Sequence, residues 1–424
     1  MTEHQTLLFL IEVVVLVVAA RLGAELAIRL GVAQVVGELT AGICLGPTLL
    51  GKLWPTGFAD LFPSDAVQRG VLEMLGWIGV IFLVLLSGFE TRLGILKDSM
   101  RTVIAGWAGG FFVPFGLGLA FGWLIPSELI GPGIDRPVFA LFVATAMSIS
   151  AIPVIARILM DLGLFQTKIG MIIMSTALAD DTAGWIVLAI VSSLALGDQV
   201  DGSAIATAVL GTGLFLVLAL TVGQWIVRGV LAASGRMKVP FAQATAMLAI
   251  VFAGGAITQA IHVQLVLGSF VAGILIVRTP WRTRDRQMIE SIRHVAMGFF
   301  VPFFFAYTGT KVDLTTLTGS TLLVAVAAVV LACVAKLGGA GLGARVGGLG
   351  WWEALAVGAG RNARGAMELV IAAIGLSIGI LTPAMYSIIV LIAVVTTLMA
   401  APLLGFSVGH FEPGSPPESG DTAG

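Results

Sequence analysis

Residues 175–196, STALADDTAGWIVLAIVSSLAL, place two adjacent carboxylates, Asp180 and Asp181, in the middle of an apolar run long enough to cross a bilayer. A carboxylate at that depth costs about 2.5 to 3.5 kcal/mol even on a lenient insertion scale, so two together need a compensating reason. Neighbouring helical residues point about 100° apart, since a turn takes 3.6 residues. The two acids can therefore serve different partners inside a helical membrane protein.

Composition supports a membrane protein over its whole length. Hydrophobic residues make up 58% of the 424-residue chain, charged residues only 11%, and the mean hydropathy is +1.04, whereas an ordinary soluble domain is about 25% charged. Apolar stretches recur from Leu7 to Leu404 and predict an all-α polytopic fold with about thirteen transmembrane helices. We expect a transmembrane domain over 1–410 and a disordered cytoplasmic tail over 411–424, which is rich in Pro, Gly and acid.

Charge and cysteine usage give little support for a cofactor or a nucleic-acid partner. The formal net charge is −1, and both cysteines, Cys44 and Cys333, lie in apolar runs without metal-ligand or redox spacing. Basic residues concentrate after the odd-numbered predicted spans, and the connections after even-numbered spans hold few of them. Because basic loops stay cytoplasmic, we expect a multi-pass protein of the cell membrane with its N-terminus outside and its C-terminus inside.

Two predicted spans, 137–157 and 352–376, carry polar or helix-breaking residues at mid-depth. In the first, Ser148 and Ser150 precede Pro153, which cannot donate a backbone hydrogen bond and clashes with the preceding turn. The second contains a dense polar stretch: Gly358, Gly360, Arg361, Asn362, Arg364, Gly365 and Glu368. Interrupted segments in both halves of a chain indicate a transporter site built from crossing broken helices.

Lys336 is the one lysine inside a predicted span, in LLVAVAAVVLACVAKLGGAG (322–341). It is a natural partner for one of the two aspartates. Burial favours the neutral forms of both groups, whereas their mutual attraction favours the charged forms, so the pair can exchange protons. A carboxylate is also a suitable ligand for Na⁺ or K⁺. Competition between proton and cation for one carboxylate, combined with alternating access, gives coupled antiport.

Other interpretations of these charges remain open. Asp180, Asp181 and Lys336 could form a structural cluster that only holds the helices together, and Lys336 could extend toward the interface. A cation channel would place its selectivity in symmetric rings or carbonyl filters, which the few asymmetric charges here do not resemble. An enzyme is not expected, since no histidine lies deep in a span beside an acid and no HExxH motif occurs.

Several motifs, in order, resemble the cation:proton antiporter-2 family, the sodium/hydrogen-exchanger-like domain of bacterial Na⁺ and K⁺ antiporters and plant cation/H⁺ exchangers. They are RLGVAQVVGELTAGICLGPTLLG (29–51), GVIFLVLLSGFET (79–91), SISAIPVIARILMDLGL (148–164), STALADDTAGW (175–185), VPFFFAYTGTKVDL (301–314) and GRNARGAMELVIAAIGLSIGIL (360–381). The resemblance implies inverted repeats, a homodimer, and a six-helix core that moves against a dimerisation domain in an elevator-type cycle.

The resemblance also implies roles for particular residues. Asp181 matches the principal proton and monovalent-cation site, and Lys336 matches the partner of Asp180. Ser148 and Ser150 match the polar positions of the first broken helix, while Asn362, Arg364 and Glu368 match the second. Of these, Arg364 and Glu368 are expected to pair structurally or in gating.

The paired acids favour electrogenic exchange of Na⁺ or K⁺ for protons, with electroneutral K⁺/H⁺ antiport as the alternative. Only a charge-movement assay separates the two modes. The basic stretch VRTPWRTRDRQMIESIRH (277–294) is expected to be an amphipathic linker that can contact anionic membrane lipids.

Overall fold

The computed structural model describes residues 2–31, 33–63, 65–90, 99–195, 210–211, 213–261, 265–279, 283–315 and 319–411. For some residues inside helices, Asp181 among them, it describes the backbone alone. The predicted tail, 411–424, lies outside the described residues except for Phe411.

The described chain is almost entirely helical, and an isolated bridge between Ile130 and Leu381 is its one extended pairing. The predicted all-α class is therefore confirmed. In chain order the α-helices are α1 Glu3–Arg29, α2 Gln34–Leu45, α3 Leu50–Leu53, α4 Pro55–Leu61, α5 Ala66–Glu90, α6 Met100–Leu124, α7 Arg136–Ser148, α8 Ile152–Asp161, α9 Lys168–Ala195, α10 Gln224–Gly235, α11 Ala242–Ala260, α12 Leu265–Val277, α13 Thr283–Val295, α14 Val301–Thr310, α15 Ser320–Val346, α16 Trp351–Arg361, α17 Ala366–Ser377 and α18 Pro383–Val408.

Within the described residues, nine helical segments are long and apolar enough to cross a membrane, and α12 is a shorter apolar helix. Many large apolar side chains on these helices are exposed, such as Leu22 at 67% and Leu323 at 74%. In water such surfaces would be unfavourable, but in lipid they face a matching solvent. The protein is a multi-pass membrane protein, and the count of thirteen crossings stays a prediction.

Part of the predicted amphipathic linker, 277–294, belongs to a long helix. The stretch expected to link two spans is helical from Thr283, and α13 continues through a π-helical turn, Ala296–Phe300, into α14. No Gly or Pro occurs between residues 283 and 297 to stop the helix. Residues 283–294 of the predicted linker are thus part of a longer helix.

The chain divides into two compact units. Unit 1 comprises Met1–Glu90 and Trp185–Thr316, and unit 2 comprises Thr91–Gly184 and Leu317–Gly424. In unit 2, α6 packs against α7 and α15, α15 packs against α16, and α18 packs against α15, α16 and α17. Each half of unit 2 thus runs long helix, broken helix, long helix. The inverted orientation of the two halves stays a prediction.

Both predicted interruptions are present in unit 2. Residues 149–151 separate α7 from α8, and residues 362–365 separate α16 from α17. Pro153 occupies the first turn of α8, where its missing N–H is not needed. The backbone N–H of Ala151 donates to the Ala363 carbonyl at 3.3 Å, so the two breaks meet directly. The sequence-based prediction of two crossing broken helices is confirmed.

Gly365 permits the second break. Its backbone lies at φ 155° and ψ −133°, a region that is close to one that only glycine occupies readily. A Cβ atom there would also lie 2.6 Å from a methyl carbon of Val154 on α8. The residue is therefore required both by the backbone conformation and by the close approach of the two broken helices.

We expect Gly365→Ala to lower the free energy of unfolding by about 1 to 3 kcal/mol, the usual cost of a strained backbone conformation. Thermal unfolding in detergent micelles measures the change. Gly338→Ala is the matched control, because a Cβ at that position in α15 meets open space. Equal stabilities for the two variants would contradict the strained conformation at Gly365.

Candidate ion-binding site

Asp180 lies at the centre of a charged cluster where the two broken helices cross. Its side chain is fully buried, and its Oδ2 atom accepts from three donors. Lys336 Nζ of α15 lies 2.8 Å away, Ser150 Oγ of the first break lies 3.1 Å away, and the guanidinium of Arg361 at the end of α16 also donates. Asp180 lies near the middle of α9, Lys168–Ala195.

The second oxygen of Asp180 is different. Among the described residues, Oδ1 has no hydrogen-bond partner although it is buried. A buried carboxylate oxygen without a donor is costly unless something else occupies it. A water molecule or a cation would satisfy it. Asp180 is thus held firmly through one oxygen and leaves the other available.

Lys336 is fully buried and makes three hydrogen bonds, which is the number of N–H groups on an ammonium. Besides Asp180, Nζ donates to the carbonyl of Gly110 on α6 at 2.9 Å and to the carbonyl of Ser148. Ser148 ends α7, and a helix C-terminus carries partial negative charge that attracts a cation. The lysine does not extend toward an interface; it closes the end of a broken helix.

The two serines of the first break have different environments. Ser150 Oγ lies 3.1 Å from both Asp180 Oδ2 and the Arg361 carbonyl, so its single proton is shared between them. Ser148 Oγ instead donates to the Ala144 carbonyl of its own helix at 2.6 Å. Only the backbone oxygen of Ser148 contacts the cluster. Of the two predicted polar positions, the structure brings the hydroxyl of Ser150 to the acid.

Arg364 and Glu368 form a second buried pair, with Arg364 Nη1 2.9 Å from Glu368 Oε1. The same guanidinium donates to the carbonyls of Ala146 and Met147 at 3.2 and 2.7 Å. It therefore satisfies carbonyls that α7 leaves without partners at its broken end. The pair adds a carboxylate and a guanidinium to the buried charges, and its structural or gating role stays a prediction.

Asn362 and Thr397 complete the second break. Asn362 is buried, donates to the sulfur of Cys333 at 3.8 Å, and its Oδ1 has no partner among the described residues. Thr397 of α18 accepts from the backbone N–H of Arg364 at 3.2 Å, and its hydroxyl lies 2.6 Å from the carbonyl of the same residue. A single threonine thus fixes the unwound backbone on both sides. Thr397 was missed in the sequence, where it is one of two adjacent threonines in an apolar span.

Arg361 is a second site residue that the sequence patterns did not predict. In the sequence it is one member of the polar stretch in the second broken span. In the structure its side chain is fully buried and ion-paired with Asp180. The contact between Arg361 and Asp180 depends on how α16 and α9 come together, since the two residues are 181 positions apart in the chain.

Asp181, the residue predicted to bind the transported ion, follows Asp180 on α9, but its side chain is outside the described part of the structure. At the crossing of the broken helices, the described buried side chains include three cations and two carboxylates: Lys336, Arg361, Arg364, Asp180 and Glu368. An ionised Asp181 would balance this excess of positive charge.

Discontinuous helices that meet in a buried charged cluster are typical of secondary membrane transporters. Residues 13–407 match the family described as sodium/hydrogen exchanger, transmembrane. The chain belongs to this sodium/hydrogen exchanger family, as the sequence motifs indicated.

Individual relatives agree with this assignment. The chain is 32% identical over 408 residues to the Na⁺/H⁺ antiporter NhaS4 of Synechocystis, covering 95% of this chain and 98% of that protein. It is 31% identical to cation/H⁺ antiporter 18 of Arabidopsis thaliana, of which it spans 48%. The structure of the sodium proton antiporter MjNhaP1 of Methanocaldococcus jannaschii at pH 8 shares the fold, with a TM-score of 0.53, 16% identity and coverage of 96% of this chain and 97% of that one.

Proposed function

We propose that the protein is a monovalent cation/proton antiporter that exchanges Na⁺ or K⁺ for protons at Asp181, with Asp180 as the adjacent acid. The single observation that carries this proposal is the buried cluster around Asp180 at the crossing of two broken helices. Its carboxylate keeps one oxygen, Oδ1, without a described donor. Family membership and the names of the relatives support the same class of transport.

In this mechanism the proton and the cation compete for one site. A carboxylate binds either a proton or a hard monovalent cation, and its affinity for the cation falls when it is protonated. Antiport follows if the site is open to one side of the membrane at a time. We propose an elevator-type cycle in which unit 2 carries the site and moves relative to unit 1.

We further propose that exchange is electrogenic, with two protons moved for each cation. Lys336 and Asp181 would each contribute one exchangeable proton. The described cluster has one excess positive charge, which an ionised Asp181 cancels. When a cation has entered, Lys336 and Asp181 have each lost a proton. The site has then gained one positive charge and lost two, so the proton-loaded and cation-loaded forms differ by one charge. Electroneutral K⁺/H⁺ exchange is the alternative outcome.

The protein is proposed to work as a homodimer in the cell membrane, with its N-terminus outside and its C-terminus in the cytoplasm. The excess of basic residues after odd-numbered predicted spans supports this orientation. Because basic loops stay cytoplasmic, we propose that the basic stretch 277–294 lies on the cytoplasmic side. Anionic lipid head groups there would attract it.

We expect purified protein in proteoliposomes to move protons in response to a pulse of Na⁺ or K⁺, and to do so at a rate that changes with an imposed membrane potential. A pH dye inside the vesicles reports the movement. Pulses of Na⁺, K⁺ and Li⁺ identify the ion, and protein-free vesicles are the control. Cation-driven flux that ignores the potential would establish one-for-one exchange, and the absence of flux would contradict antiport.

A further inference from the structure

Arg361 has a single described anionic partner. It is the last residue of α16, its side chain is fully buried, and Nη2 donates to Asp180 Oδ2. Its Nε and Nη1 atoms have no hydrogen-bond partner among the described residues. An arginine stays charged at every pH that a cell experiences. Asp180 is therefore paired at once with a permanent cation and, through Lys336, with a cation that can lose its proton.

The acceptors around Lys336 fit both of its protonation states. An ammonium has three N–H groups, and Nζ finds three acceptors in Gly110, Ser148 and Asp180. A neutral amine has two N–H groups, which can still donate hydrogen bonds to the two backbone carbonyls. Only the bond to Asp180 is then given up. Asp180 Oδ2 keeps the Arg361 guanidinium and the Ser150 hydroxyl as donors.

We propose that Arg361 is the fixed counterion of Asp180 and that it allows Lys336 to act as the second exchangeable acid of the antiporter. This inference rests on the proposed function and adds a positioning residue to it. The N–H bond of Lys336 that faces Asp180 breaks, its electron pair stays on Nζ, and the proton passes to water on the open side. The entering monovalent cation replaces the lost positive charge, and the reverse exchange occurs on the other side.

Without Arg361 the same step would be unfavourable. Loss of the lysine proton would leave a fully buried Asp180 carboxylate with only the Ser150 hydroxyl as a described donor. An uncompensated buried charge is strongly destabilising. Lys336 would then keep its proton throughout the cycle, and only Asp181 would exchange one.

The other arginine in the cluster does not substitute for Arg361. Arg364 donates to Glu368 and to the carbonyls at the end of α7, and none of its described hydrogen bonds reaches Asp180. The fold also makes room for Arg361 in particular. A Cβ atom on Gly110 would lie 2.9 Å from the Arg361 Nη2 atom, so α6 carries a glycine where the guanidinium passes.

The number of protons moved per cation tests the proposal. It is obtained from the membrane potential at which net exchange stops in proteoliposomes that hold known proton and cation gradients. We expect wild-type exchange to move two protons per cation and Arg361→Gln to move one, so that exchange by the variant no longer responds to potential. Arg345→Gln is the matched control, because it removes an arginine of the same unit that is outside the cluster, and it should keep the wild-type ratio.

An Arg361→Gln variant that exchanges at a reduced rate but with the wild-type ratio would overturn the proposal, since a purely structural arginine affects rate alone. Wild-type exchange that is already one-for-one would overturn it too, while leaving antiport intact. Absence of any cation-driven proton flux in the wild type would instead contradict the proposed function, and the inference with it.

A second variant tests the counterion role if Arg361→Gln is recovered poorly. Arg361→Lys keeps a cation beside Asp180, with which Arg361 is ion-paired, and should be recovered better than Arg361→Gln. Size-exclusion chromatography in detergent reports recovery of folded protein. Equal recovery of the two variants would overturn the assignment of Arg361 as the counterion of Asp180.

Discussion

Asp180→Asn is expected to destabilise the protein by about 3 to 5 kcal/mol, the cost of removing one partner from a buried ion pair. The amide would leave Lys336 and Arg361 fully buried without the carboxylate that both contact. Part of the cost falls if Lys336 loses its proton, but the Arg361 charge remains. Thermal unfolding in detergent measures the change.

Ser150→Ala serves as the control for that substitution. It removes the hydrogen bond that Ser150 Oγ donates to Asp180 Oδ2 over 3.1 Å. Every charge in the cluster stays in place. A hydrogen bond to a charged group contributes about 1.5 to 3 kcal/mol. Asp180→Asn should therefore be the more damaging change. If Asp180→Asn unfolds at the wild-type temperature, the ion pairs around Asp180 do not stabilise unit 2.

Asp181→Asn is expected to reduce cation-driven proton flux to the level of protein-free vesicles. An asparagine amide has nearly the shape of the carboxylic acid but neither takes up a proton nor carries a negative charge at physiological pH. It therefore preserves packing while it removes the competition between proton and cation. Flux of the wild type and the variant is compared in proteoliposomes loaded with a pH dye.

Asp135→Asn provides the matched control, because Asp135 is an exposed carboxylate of the same unit at the start of α7. It should exchange at the wild-type rate. Flux that persists in Asp181→Asn would remove that residue from the mechanism.

Much of the fold could be predicted because lipid imposes strict requirements on a chain. A span must be apolar, so the acids of α9 and the polar residues of the two breaks stand out against their surroundings. Pro153 and the glycines around Arg361 marked where helices stop, and the structure places breaks at 149–151 and 362–365. The helical extension from Thr283 was missed because hydropathy detects the lipid-embedded part of a helix and not its polar continuation.

Pairings inside the site were harder to predict. Lys336 could be matched to one of the two aspartates because it is the one lysine within a predicted span, and the family resemblance implied that this aspartate is Asp180. Arg361 and Arg364 are three positions apart in one polar stretch, yet one contacts Asp180 and the other Glu368. Which arginine contacts which acid depends on the crossing of distant broken helices. Ser148 and Ser150 are likewise separated by a break, where helical periodicity no longer gives side-chain direction.

The most direct test of competition between cation and proton is proton release on cation binding. Purified protein in lightly buffered detergent solution receives Na⁺ or K⁺, with choline as the control cation, and a pH dye records the result. We expect release of protons in proportion to the protein present, and loss of that release in Asp181→Asn. Cation binding, detected as a rise in unfolding temperature, without any release of protons would contradict it.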